Sequence, residues 1–196
     1  GIGYGAWLLK SNTTDGWFMT WQETLENACV AGCSNICQEV YTQKLGQAFR
    51  VASGKGGTTE DGEKESRDYI ESPYSRRSYI DYQDNIYSIK NSLYGTRDVD
   101  AKTPVTNSMM NIMKKYNYSG YNDINTALND AIAALETAKS SSFVADIAAI
   151  EKAYKAGTLN NEPAYTRVKT CIEKINNLDD EVNKAGAWFR KIRASK

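Results

Sequence analysis

Apolar positions recur along most of this chain at three- and four-residue steps, the spacing of helices that bury one stripe. Trp21, Leu25, Ala28, Gly32, Ile36 and Val40 predict a first helix over residues 16–49, with Asp15 as its N-cap. Tyr79, Tyr82, Ile86, Ile89 and Leu93 predict another over 78–94, ended by Gly95 as a C′ glycine. Thr103 and Pro104 form an N-cap and first-turn pair ahead of Val105, Met109, Ile112 and Met113, a short helix ending near Lys115. Ile124, Leu128, Ala131, Leu135 and Ala138 give the next, stopped by Ser140, Ser141 and Ser142. A helix over 143–156 follows, closed by Gly157. Pro163 then opens a long last helix, on which Val168, Cys171, Ile175, Leu178, Val182, Ala185, Phe189 and Ile192 alternate steps of three and four.

Two stretches break the pattern. Residues 1–16 mix glycines with Tyr4, Trp7, Leu8 and Leu9 and read as an irregular lead-in with a few anchors. Residues 53–65 place Gly54, Gly56, Gly57 and Gly62 among charged and polar neighbours and read as a solvated, mobile loop. Without strand alternation or a repeat of fixed period, the expected fold is all-α, an up-and-down helical bundle forming a single domain over 17–196.

Composition narrows the chemistry. The 196 residues carry 24 Lys and Arg against 24 Asp and Glu, and this zero balance argues against a nucleic-acid partner, which needs concentrated positive charge. No His is present, so neither a Ser-His-Asp nor a Cys-His nucleophile, nor a His-ligated metal, can be assembled from this chain alone. No run approaches 18 apolar residues, the length of a membrane span. The chain opens on Gly1 rather than Met and reads as processed, trimmed or incompletely represented at that end.

Cys29, Cys33 and Cys37 are spaced by four on the first predicted helix, with Cys171 on the last. A rigid helix sets 29 and 37 about 12 Å apart at 1.5 Å per residue, too far to share one ion. Buried thiols, or one disulfide between Cys171 and a first-helix cysteine, fit better. The glycine loop lacks the terminal Lys-Ser/Thr of a phosphate loop and follows no strand. The densest polar cluster runs from 71 to 94. Asp81, Asn85, Ser88 and Asn91 share one side of the predicted helix, where Lys and Glu would serve a merely solvated face better. With Glu71, Ser72, Tyr74, Ser75, Ser78 and Tyr94 they are the candidate ligand-binding residues, either lining a cleft or forming a packed polar network.

Two ordered blocks resemble the imelysin family. In the first, Gly32, Cys33, Ile36, Glu39, Val40, Lys44 and Gly46 stand where that family has a Gly-Cys pair, an Ile, Glu-Val and a Lys-Ile-Gly ending. In the second, Glu71, Ser72, Tyr74, Ser75, Ser78, Asp81, Asn85, Ile86, Ser88, Ile89, Asn91, Tyr94 and Gly95 match its Glu-Ser-aromatic-Ser block and the helix beyond. The resemblance implies half of a two-bundle protein, exported to the periplasm or outer-membrane surface and linked to iron or haem uptake. It also implies a first half carrying a Gly-x-His-x-x-Glu motif, which this chain does not contain. The expectation is therefore a binding module. The alternatives are half of a metallopeptidase, in which iron or another metal is held only with a His-bearing partner segment, and a structural subunit of an outer-membrane assembly.

Overall fold

A computed structural model describes residues 4–192. The ends of the expected lead-in and domain, 1–3 and 193–196, and the side chains of Tyr4 and Trp7 lie outside the described residues. The elements are α1 (Tyr4–Leu9), a composite helix, α5 (Ser78–Tyr94), α6 (Met109–Lys115), α7 (Tyr121–Ala138), α8 (Phe143–Lys155), a 3-10 turn (Leu159–Asn161) and α9 (Pro163–Phe189). The composite helix strings together α2 (Trp21–Thr24), a π-helical segment (Leu25–Val30), α3 (Ala31–Gln38), a second π segment (Glu39–Lys44) and α4 (Gly46–Ala52).

The composite helix, α5, α7 and α9 close a ring: α3 packs on α9, α9 on α7, α7 on α5 and α5 back on α3. This is the expected all-α bundle. The buried apolar residues form one cluster inside it, with Tyr82, Phe143, Phe189, Leu45 and Ile86 among its largest members. Helix α8 covers α4 and α9, and α6 leans on α5 and α7. Among the described residues no strand forms; the only β pairing there is an isolated bridge between Thr58 and Lys64.

Where the period is unbroken, the predicted stripes are the buried ones. Tyr79, Tyr82, Ile86, Ile89 and Leu93 of α5 are all buried, and Gly95 closes that helix in the left-handed region (φ 71°). On α9, Glu162 caps Ala164 N–H at 3.0 Å, Pro163 takes the first turn, and the predicted stripe is buried from Val168 to Phe189. The helix stops at Phe189, so Ile192 packs against the core from beyond its end.

Elsewhere the structure corrects the pattern. The lead-in holds α1, whose last carbonyls are satisfied when Ser11 Oγ donates to the Leu8 carbonyl and Thr13 Oγ1 to that of Lys10. Leu9 is exposed and anchors nothing. Asp15 is no cap. Thr20 accepts from Glu23 N–H at 3.1 Å while Glu23 accepts from Met19 N–H at 2.9 Å, a near capping box that starts the helix at Trp21. Its buried stripe is Val30, Cys33, Cys37 and Val40: the predicted Val40 lies on it, Cys33 and Cys37 fall one position beyond the predicted Gly32 and Ile36, Val30 two beyond Ala28, and Trp21 is exposed. Thr103 caps nothing either: Val105 N–H is spent on the Tyr94 carbonyl at the end of α5, and Ser108 caps α6 through Asn111 N–H. The glycine loop is tied down. Glu65 ion-pairs with Arg50 and accepts from Gly57 N–H at 2.9 Å, and Thr59 N–H donates to the Glu63 carbonyl at 2.7 Å.

Candidate functional site

The second π segment sets the geometry. In a regular α-helix five residues make about 1.4 turns, which puts positions 39 and 44 on different faces. Here Leu45 N–H reaches back five residues to the Val40 carbonyl at 2.9 Å, and the widened turn returns Lys44 to the side of Glu39. Lys44 Nζ lies 3.3 Å from Glu39 Oε1 and 3.2 Å from Glu71 Oε1. The lysine side chain is 11% exposed, whereas Glu39 and Glu71 are 56% and 43% exposed. Burial works against the charge on Lys44, but the Glu71 and Glu39 carboxylates outweigh it and hold the ammonium above the ordinary lysine range. Gly46 makes the turn feasible: a Cβ there would lie 2.5 Å from the Tyr41 carbonyl oxygen and 2.6 Å from an Arg50 nitrogen.

Glu71 arrives on a strained connector. Ser72 (φ 53°) and Arg76 (φ 57°) both sit in the left-handed region without being glycine. Ser72 Oγ donates to Asp81 Oδ2 at 2.6 Å, and Arg76 N–H closes onto the Ser72 carbonyl at 3.0 Å. Ser78, at the start of α5, donates to the Glu71 carbonyl, and Tyr82 donates to the Lys44 carbonyl at 3.3 Å. Left-handed non-glycine backbone persists only where its surroundings over-determine it; here the Asp81 carboxylate holds Ser72 and the Ser72 carbonyl holds Arg76.

Of the residues expected to bind, Glu71, Ser72, Ser78 and Asp81 come together with Glu39 and Lys44. Tyr74 is fully exposed, and Ser75 Oγ bonds back to the Ser72 carbonyl at 3.3 Å. Asn85 is half-buried and Ser88 spends its hydroxyl on the Asn85 carbonyl at 2.6 Å. Asn91 lies ten residues beyond Asp81, about 15 Å along the helix, and its Oδ1 is buried with no hydrogen-bond partner among the described residues. Tyr94 joins α5 to α7 through Asn125 Oδ1 at 2.6 Å. The polar side of α5 therefore splits into an organised end at 71–81 and a separate stretch beyond it.

The cysteines take no part. All four are free, so no bridge joins Cys171 to the composite helix. Burial pushes the Cys33 and Cys171 thiols up to about 12 and raises Cys37 and Cys29 as well, which keeps them protonated and slow to react. Among the described residues no group of three or more Cys, Asp or Glu is placed to hold a metal ion. What the cluster offers is three carboxylates around one buried ammonium, with the Ser72 and Ser78 hydroxyls already oriented by hydrogen bonds.

These are also the residues of the two sequence blocks. A family model described as imelysin matches residues 5–182. The chain belongs to the imelysin family. Its fold is similar to the crystal structure of an imelysin peptidase from Bacteroides ovatus, with a TM-score of 0.71 and 21% sequence identity. The alignment covers 96% of this chain and 46% of that one, so this chain spans about half the length of that protein. No curated protein matches the sequence. Within this imelysin-family chain, Glu39 and Lys44 were absent from the residues expected to bind. No local signal marks them: an acid and a base five apart fall on different faces of a regular helix, and only the widened turn brings them together.

Proposed function

We propose that this chain is the ligand-binding half of an exported imelysin-type protein, in which Glu39, Lys44, Glu71, Ser72 and Asp81 line a cleft completed by a second bundle. The reading takes the ligand to be connected with iron or haem acquisition, and the location to be the periplasm or outer-membrane surface. The observation that carries it is Lys44: mostly buried, held charged, and bridging two carboxylates that remain open to solvent. Such an arrangement contributes little to stability for a surface cluster, about 0–1 kcal/mol per pair, so the local backbone strain around it calls for another reason.

Isothermal titration of the protein joined to its second bundle, with ferric citrate, haem and short peptides, tests the reading. Saturable binding of one of these, weakened by Lys44→Met, supports it; no binding of any sinks it. The relative's description as a peptidase favours a second reading, a hydrolase half that becomes competent only beside a His-bearing segment. Proteolysis by the joined protein, abolished by a chelator, would favour that reading over a binding module.

A further inference from the structure

The connector that delivers Glu71 carries groups that the Lys44 cluster does not use. Tyr74 is fully exposed, and Arg76 and Arg77 are exposed with no ion pair or side-chain hydrogen bond among the described residues. The carboxylates close to them are engaged elsewhere: Glu39 and Glu71 meet Lys44, and Asp81 accepts from Ser72.

The backbone under these side chains is held at a cost. Four described non-glycine residues have φ in the left-handed region. Asn12 and Asn117 are of the type that tolerates it, whereas the other two, Ser72 and Arg76, both lie in this connector. Arg76 N–H donates to the Ser72 carbonyl at 3.0 Å, Ser75 Oγ donates to the same carbonyl at 3.3 Å, and the ring of Pro73 locks one more dihedral. The turn 72–76 is thus closed on itself immediately after Glu71. Glycine would take the Arg76 conformation without strain, so what an arginine adds there is its guanidinium. A turn fixed before binding leaves little backbone to order, and Tyr and Arg are the side chains that most often dominate a binding surface.

The chemistry of what fits follows from the unpaired groups. A guanidinium with no carboxylate of its own chain offers a planar fork of N–H donors, which matches a carboxylate better than any other common small-molecule group except phosphate. The Tyr74 ring offers a flat face for an apolar or planar portion.

We propose that the turn 72–77 is the specificity element of the Lys44 cleft and selects a small ligand bearing free carboxylate groups, gripped by Arg76 and Arg77, with its apolar portion laid on Tyr74. This rests on the reading of that cleft as a ligand site. Calorimetric titration of the protein joined to its second bundle tests it, with haem and ferric citrate, which carry free carboxylates, and with haem dimethyl ester, in which they are blocked. The expected result is that haem or ferric citrate binds and loses at least tenfold in affinity in Arg76→Gln/Arg77→Gln, and that the ester binds at least tenfold more weakly than haem. Both arginines are exposed, so the double variant keeps the fold; Arg76→Gly, which relieves the left-handed strain, should raise the urea midpoint while still weakening binding, and decides the matter if the double variant unfolds. Binding weakened by Lys44→Met but unchanged by the arginine variants overturns the proposal and leaves the reading of the cleft standing. An ester that binds as tightly as haem overturns it too, as does absence of binding by both haem and ferric citrate.

Discussion

Two long helices face each other in this bundle and differ in kind. Helix α9 runs from Pro163 to Phe189 without a break, capped at its start and buried along one stripe. The composite helix from Trp21 to Ala52 covers a comparable distance but is interrupted by two π segments, carries Gly32 and Gly46, and leaves Trp21 exposed. The regular helix spends its polar groups on structure. Arg167 meets the buried Asp146 with two hydrogen bonds at 2.9 Å, and Asp146 also accepts from Tyr79 and Ser141 at 2.7 Å. Asp179 accepts from Ser34 at 2.5 Å and from Asn183 at 2.9 Å, tying α9 to α3. The irregular helix instead spends backbone regularity on placing Lys44 between two solvent-open carboxylates. A π segment shifts everything after it by one position, an expensive device in a scaffold and a useful one for aiming a side chain.

The sharpest way to break this comparison is through α9. Arg167→Met leaves Asp146 buried and uncompensated and should cost about 3–5 kcal/mol in urea unfolding, far more than any change at Lys44. Next come the glycines of the composite helix, which should move in opposite directions. Gly46→Ala pushes a methyl against the Tyr41 carbonyl and should destabilise by about 1–3 kcal/mol. Gly32→Ala meets nothing within 4 Å and should stabilise by up to about 1 kcal/mol. Equal effects at the two positions would remove the case that the second π segment is sterically enforced.

Lys44→Met should alter stability by about 0–1 kcal/mol, with a diagnostic pH dependence. Because the folded-state ammonium titrates above its unfolded value, its contribution is fully present below about pH 10 and disappears as pH rises through the folded pKa. The gap between wild type and Lys44→Met in urea midpoint should therefore stay constant up to that point and close above it. The smallest effect is chemical: iodoacetamide at pH 8 should modify half-buried Cys29 slowly and Cys33, Cys37 and Cys171 more slowly still, as peptide mapping would report.

The contrast between the helices also explains what the sequence disclosed. The stripes of α5 and α9 could be read because a constant 3.6-residue period runs through each. On the composite helix the buried positions step from Val40 to Leu45, a gap of five that a constant 3.6-residue period does not produce, and ahead of Val40 the expected Gly32 and Ile36 each fall one position short of the buried Cys33 and Cys37. Thr103 and Pro104 are a sound local start signal, yet the Val105 N–H is claimed by the Tyr94 carbonyl eleven residues back, at the end of α5, a bond that capping patterns do not encode. Half of the candidate site was legible for a similar reason. Glu71, Ser72, Ser78 and Asp81 stand out as short polar residues where helix formers would serve better, whereas Glu39 and Lys44 look like ordinary solvated charges until the turn between them widens.

The central claim is that the irregular helix exists to place Lys44 for binding. It is tested most directly by titrating haem, ferric citrate and short peptides into wild-type protein joined to its second bundle, and into the same protein carrying Lys44→Met. The account predicts that one of these ligands binds the wild type and loses at least tenfold in affinity in Lys44→Met while the unfolding midpoint stays within about 1 kcal/mol of wild type. Binding that survives Lys44→Met unchanged would contradict it.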